Sequence, residues 1–452
     1  MSSELLVAIL GSDKVGEVRR ARGGRLQFVY EEAWRRSPGA VPLSLSMPLA
    51  AREHSHDAID AFLWGLLPDS EAVLRRWGTR FQVSARNAYA LMAHVGEDCA
   101  GAVRFVRPDR LDDAKAPPAG IEVEWLTDAD VADRLRTLRA DRAAWRIPQD
   151  TGQFSLAGAQ PKTALLRLEG RWGVPRGWTP TTHILKPRSE EFDGHVENEH
   201  LCLSLARRLG LPAAASEVVW FEDEPATVIE RYDRLLTASL AVAAGEAGDG
   251  RRAEALTALA KTQPILRVHQ EDLCQALGLP PTRKYQAEGG PTPAAVVGVL
   301  RSHSSRPADD IGAFLDALAF NWLIGGTDGH AKNYSLLHAG AGRVRLAPLY
   351  DLGSALAYFH MEERGLKLAM KIGGEYRLPN IDGRRWRKLA EELAIDPYET
   401  ISTIAHLTDR LPDELEGAAN EMKDAGLSHP LIGRLAEGLA RRAESCRRRI
   451  GP

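Results

Sequence analysis

The sequence predicts a two-lobed α+β protein, in which a β-rich N-terminal module and a strand-rich small lobe precede an all-helical C-terminal lobe. Three observations predict it. Short apolar runs bounded by turn residues dominate residues 1–110 and 151–234, helical periodicity dominates 265–452, and stretches of loop composition separate these regimes. A length of 452 residues, at roughly 150 per domain, accommodates about three such units. With 44% apolar and 26% charged residues the composition is that of a globular protein rather than a disordered chain. The net charge of -3 gives no global attraction to nucleic acid, so any DNA contact has to be local. Asp13 and Lys14 interrupt the only apolar run near the start, and the mean hydropathy is -0.27, so no signal peptide and no membrane partner are expected. Cys99, Cys202, Cys274 and Cys446 lie far apart without CxxC spacing, which fits reduced thiols and a cytoplasmic location.

In the N-terminal module, residues 1–110, Leu5 to Leu10 and Leu26 to Tyr30 read as strands, while Ala61 to Leu67 and Ala88 to Val95 read as helices ended by Pro68 and Gly96. Asp112, Asp113, Pro117 and Pro118 mark residues 111–150 as a connecting segment. Within 151–234, Thr163 to Leu168, His183 to Leu185 and Ala226 to Ile229 are strand-like, and Val196 to Leu209 is helical. Residues 235–264, rich in Ala and Gly, predict an exposed excursion with a short helix. The helices of the last region are clearest at Leu315 to Ile324, Trp386 to Leu393 and Leu431 to Ile450.

Chemistry concentrates behind the first of these helices, in Gly325-Gly326-Thr327-Asp328-Gly329-His330-Ala331-Lys332-Asn333. Asp328 and Asn333 have the Asp-x4-Asn spacing of a kinase catalytic loop, where the Asp orients or deprotonates a hydroxyl and the Asn holds a metal. Asp351 follows a predicted strand, Arg343 to Leu346, where a second metal-binding carboxylate belongs. Lys186 closes the strand Thr182 to Lys186 as a phosphate-pairing lysine does, and Glu199 on the next helix is its candidate partner. The small-residue turn Ala157 to Lys162 lets backbone N–H groups approach phosphate oxygens, and Glu230-Arg231-Tyr232 ends a strand where a chain crosses between lobes. Each signal has a plain alternative: acids and amides are ordinary turn residues, strand-end lysines are commonly solvated, and the turn equally serves a hairpin. Their order along the chain is what makes a protein-kinase-like fold the prediction.

Longer stretches carry a family likeness. Phe154 to Leu166, Thr181 to Lys186, Val268 to Asp272, Lys284-Tyr285, Gly289 to Pro291 and Trp322 to Ser335, with Pro42 to Pro48, Leu66 to Ser70 and Gly101 to Val103 upstream, resemble the HipA toxin kinases of bacterial toxin–antitoxin modules. The resemblance implies a serine/threonine kinase that uses ATP and Mg2+ to phosphorylate an aminoacyl-tRNA synthetase, glutamate-tRNA ligase foremost, and so halts translation and causes growth arrest and persistence. It implies Asp328 as catalytic base and Asn333 and Asp351 as metal residues. It places Ala157, Gly158, Ala159, Gln160, Pro161, Lys162, Lys186, Glu230, Arg231, Tyr232, His330, Ala331, Lys332, Asn333, Tyr350 and Asp351 at the nucleotide, and Ser155 at the autophosphorylation position. A HipB-like helix-turn-helix antitoxin and, through it, operator DNA are the implied partners in autorepression, with Arg384, Arg385 and Lys388 at the DNA; a solvated basic helix face explains those three equally well. Pro161, which lacks an N–H, and the long 235–264 excursion depart from the family pattern. A small-molecule kinase and an inactive DNA co-repressor are the rival expectations.

Overall fold

The computed structural model describes residues 4–112, 121–145, 154–358, 361 and 363–451. Strands β1 (Glu4–Leu10), β2 (Asp13–Arg20), β3 (Leu26–Tyr30), β4 (Glu53–His54) and β5 (Val103–Val106) form an antiparallel sheet in the order β4-β3-β2-β1-β5. Helices His56–Leu66, Glu71–Phe81 and Ala88–Val95 complete this module around Leu6, Phe28, Phe62, Trp77 and Phe105. Phe154, Leu156 and Ala164, from beyond the module, belong to the same apolar core.

The small lobe is a six-stranded sheet in the order β10-β11-β9-β7-β8-β6. Its strands are β6 (Val123–Leu126), β7 (Thr163–Leu168), β8 (Arg171–Pro175), β9 (His183–Pro187), β10 (Ser216–Phe221) and β11 (Glu224–Glu230). The β7–β8 turn places Glu169 and Gly170 at φ 50° and 76°, the left-handed pair of a tight hairpin. One expectation is corrected here. The described part of the 111–150 segment is no connector: it supplies β6 and helix Asp128–Ala140, which packs Val131 and Leu135 against Leu165, Trp172 and Phe221. β6 is a largely exposed edge strand, so it lacks the apolar alternation that would reveal it.

Residues 235–264 hold two helices rather than one, Thr237–Glu246 and Gly250–Ala260, mounted on the pair β12 (Arg234–Leu236) and β13 (Ile265–Arg267). The large lobe is helical around one core that includes Phe314, Phe320, Trp322 and Trp386. Its longest helices are Pro307–Ile324, Pro397–Asp424 and Pro430–Ile450, each with proline in its first turn. It is not wholly helical. β14 (His269–Asp272), β15 (Ser335–Ala339) and β16 (Arg343–Leu346) form a sheet, and β17 (Lys367–Ile372) pairs with β18 (Glu375–Arg377). β14 reads His-Gln-Glu-Asp and escapes pattern analysis because tertiary partners satisfy its buried polar groups: Glu271 accepts from the Leu45 N–H at 2.9 Å and meets His338 Nε2 at 2.9 Å.

Candidate active site

Between the lobes lies a cavity of about 750 Å³ lined by both lobes and by Gly65, Asp69 and Ala100 of the N-terminal module. Its roof is the segment before β7. Gly158 has φ +100°, a backbone conformation that residues with a Cβ rarely adopt, so the turn calls for glycine. Lys162 Nζ donates to the Ala157 carbonyl at 2.8 Å; burial, with Lys186 nearby, lowers its pKa to about 8. Ser155 lies beneath this loop, fully buried, with its hydroxyl donating to the Leu66 carbonyl at 2.8 Å.

Lys186, on β9, donates to Glu199 Oε1 and to Asp351 Oδ1, both at 2.6 Å. Glu199 comes from helix His195–Arg208, 13 residues on, and Asp351 from the loop after β16, 165 residues on, so one near and one distant carboxylate converge on one ammonium. Burial works against the charges. The two carboxylates outweigh it and hold Lys186 above the usual lysine range, while Lys186 and then Lys162 hold Asp351 well below the carboxylate range. Asp351 has φ +57°, a left-handed conformation that Asp tolerates better than most residues.

Helix Pro307–Ile324 stops at Gly325, φ +67°, and releases the chain into the Asp328 loop. Asn333 Nδ2 and the His330 N–H both donate to the Asp328 carbonyl at 2.7 Å, which closes the loop on itself. The Asp328 side chain is 60% exposed and accepts from the Tyr285 hydroxyl. Asp328, His330, Lys332, Asn333, Tyr350 and Asp351 line the cavity together with Ala157 to Lys162, Lys186 and Glu230 to Tyr232.

One expected nucleotide contact sits apart from the cavity, and another lines it without turning its side-chain charge into it. Ala331 is fully buried in the large-lobe core and does not line the cavity. The Arg231 guanidinium turns inward: it pairs with Asp233 at 2.9 Å and donates to Thr181 Oγ1 and the Cys99 carbonyl at 2.8 Å each. A buried guanidinium demands this many acceptors, and the junction with the N-terminal module supplies them. Arg234 and Arg267 join the same cluster through Asp98. Lys332 lines the wall but is ion-paired to Asp69 at 2.6 Å.

Outside the cavity lining, helix Gly383–Glu392 turns Trp386 inward and leaves Arg384 and Lys388 exposed, 89% and 54%. Arg385 donates to the Gly373 carbonyl at 3.1 Å. Sequence reasoning does not single out Asp69, Asp98, Lys284 or Tyr285 as site residues; the carboxylates of the first two find all their ion-pair partners more than a hundred residues away. Among the described residues no helix is long and apolar enough to cross a membrane.

A domain described as "HipA-like C-terminal domain" matches residues 154–415, and one described as "HipA N-terminal domain" matches residues 6–106. The chain is 34% identical over 434 residues to "Putative kinase Y4mE" of Sinorhizobium fredii, with 96% of each chain covered. It is 28% identical over 428 residues to the serine/threonine-protein kinase toxin HipA of Shewanella oneidensis, covering 90% of this chain and 87% of that one. The solved Shewanella oneidensis MR-1 complex of HipA, HipB and operator DNA contains a chain of the same fold, with a TM-score of 0.80 at 24% identity and 98% of both chains covered. The convergence of Lys186, Glu199, Asp351 and the Asp328–Asn333 loop on one cleft thus occurs in a chain that belongs, along most of its length, to the HipA family of protein kinases.

Proposed function

We propose that this kinase transfers the γ-phosphoryl group of ATP to a serine or threonine hydroxyl of an aminoacyl-tRNA synthetase, glutamate-tRNA ligase being the first candidate, and thereby arrests translation and growth. The single observation that carries the reading is the shared cavity in which the Lys186–Glu199 pair, Asp351 and the Asp328–Asn333 loop face one another.

In this reading Lys186 meets the ATP phosphates, and Glu199 keeps it aimed into the cleft rather than collapsed onto Asp351 alone. Asp328, exposed at the mouth, accepts the proton of the incoming hydroxyl. Ala157 to Lys162 close over the phosphates, and Tyr232 and Tyr350, with ring centres 5.8 Å apart, line the inner cleft. The donor set fits Mg2+. Asp351 has an oxygen beyond the one Lys186 takes, and Asn333, anchored through its amide nitrogen, presents its amide oxygen; both are hard oxygen donors of the kind Mg2+ combines with phosphate and water. Bound there, the ion would neutralise charge on the phosphate oxygens. A HipB-like antitoxin and, through it, operator DNA are the proposed partners in autorepression; the related toxin solved with HipB and its operator supports this, and Arg384, Arg385 and Lys388 are the proposed phosphate contacts.

Incubation with ATP, Mg2+ and a panel of purified synthetases, followed by phosphopeptide mass spectrometry, tests the proposal. One synthetase should be modified on a Ser or Thr, and Asp328→Ala should abolish the modification. Phosphate appearing only in small molecules would refute it.

A further inference from the structure

One short strap of the N-terminal module, Leu66 to Asp69, bridges the two walls of the active site. Its main chain holds the phosphate loop: the Asp69 N–H donates to the Gly158 carbonyl at 2.9 Å, and Pro68 forms a parallel bridge with Gly158. Its side chain holds the opposite wall. Asp69 Oδ1 pairs with Lys332 Nζ at 2.6 Å and Oδ2 with Lys284 Nζ at 2.9 Å. Lys332 directly precedes Asn333, and Lys284 directly precedes Tyr285, whose hydroxyl donates to Asp328. The Lys284 carbonyl accepts the Ala331 N–H at 3.2 Å, so the two lysine-bearing segments are also joined to each other. The Asp69 side chain is 10% exposed and that of Lys332 3%, so the pair is shielded from water and has few alternative arrangements.

We propose that Asp69 is a positioning residue, a clamp that fixes the distance between the phosphate loop and the Asp328–Asn333 loop, so that the N-terminal module completes the active site. The inference rests on the reading of Asp328 and Asn333 given above. Both carboxylate oxygens of Asp69 are taken by lysines, so it acts on Asn333 through Lys332 and on Asp328 through Lys284 and Tyr285. The geometry requires a short carboxylate with one oxygen for each ammonium. Asparagine turns an NH2 donor toward one of the lysines, and glutamate pushes the charge outward by a methylene.

The test compares the full-length protein with Asp69→Asn, Asp69→Glu and Asp328→Ala. ADP release from MgATP, MgADP affinity by calorimetry and amide hydrogen exchange are measured on each. Asp69→Asn should lower kcat by about ten- to a hundredfold, as misplacement of reacting groups by an ångström does. MgADP affinity should stay within about threefold, since the backbone hold on Gly158 is retained. Exchange should rise in both 156–163 and 327–334. A folded Asp69→Asn variant with unchanged kcat and unchanged exchange overturns the proposal, and so does one in which exchange rises in only one loop. Should Asp69→Asn fail to fold, Asp69→Glu carries the same test, with a kcat loss of at least about threefold expected and an unchanged kcat refuting. Asp328→Ala separates the two ideas: if it keeps full turnover while Asp69→Asn loosens both loops, the clamp stands and the catalytic reading falls.

Discussion

Replacing Glu199 by Gln removes one charge from the centre of the cleft while leaving shape almost unaltered. Glu199 and Lys186 are 2.6 Å apart, with side chains 3% and 5% exposed. At an effective dielectric constant of about 20, a unit pair at that distance attracts by about 6 kcal/mol, part of which only offsets the cost of removing both ions from water. Breaking a buried pair typically costs about 3–5 kcal/mol; because Asp351 remains on Lys186, we expect the lower end, about 3 kcal/mol, in urea unfolding followed by tryptophan fluorescence. The functional loss has a separate origin. Without Glu199 the ammonium has Asp351 as its sole carboxylate partner and is drawn onto the group proposed to bind the metal. Losing one aligned electrostatic contact to a reacting phosphate corresponds to about a hundredfold in kcat/KM, or ~2.7 kcal/mol. Coupled ADP-release kinetics over a range of MgATP concentrations measure this directly. A folded Glu199→Gln protein with kcat/KM within about threefold of the parent would refute the argument, as would a fall in stability with no fall in turnover.

Other predictions follow the same logic. Lys162, with its pKa lowered to about 8, carries its charge below that pH and loses it above; a bound phosphate favours the charged form, so MgADP affinity should be constant up to about pH 8 and then weaken. Calorimetry from pH 6.5 to 9.5 should show that bend, and Lys162→Met should flatten it. Ser155→Asp puts a carboxylate against the Leu66 carbonyl in a fully buried site, so the Ala157–Lys162 loop, proposed to close over the phosphates, should be displaced and MgATP binding lost; a variant that still binds and turns over ATP would exclude this. In a complex with a HipB-like antitoxin and operator DNA, Arg384→Ala with Lys388→Ala should lower the slope of log K against log salt by about two, and an unchanged slope would leave these residues as a solvated helix face.

What the sequence disclosed and what it hid divide along lines of distance and polarity. Lys186 and Glu199 were readable because one closes an apolar strand and the other lies early on the following helix. Strand β16 and helix Ala88–Val95 were expected with the bounds the structure shows, each being a short pattern with clear stops. Arg231 stands at a strand end where backbone groups can face a nucleotide, but its guanidinium turns inward to Asp233, Thr181 and the Cys99 carbonyl, and the last two lie 50 and 132 positions away, beyond the reach of any local pattern. Strand β14 escapes a local pattern in the same way, since its Glu271 is held by Ser44, Leu45 and His338 rather than by apolar burial. The paired helices of 235–264 were under-read because alanine-rich, mostly exposed segments give little periodicity.

The Asp98 cluster and the seating of Phe154 and Leu156 bear on how such a chain can be cut or recombined. Removing residues 1–106 would strand three arginines without their common carboxylate and expose aromatic and aliphatic surface otherwise sealed by Trp77 and Phe105. The two matched segments are therefore separate in description but not in stability. A chimera exchanging one of them between relatives should remain soluble only if the donor brings both the acid at 98 and a cavity of the right volume for residue 154.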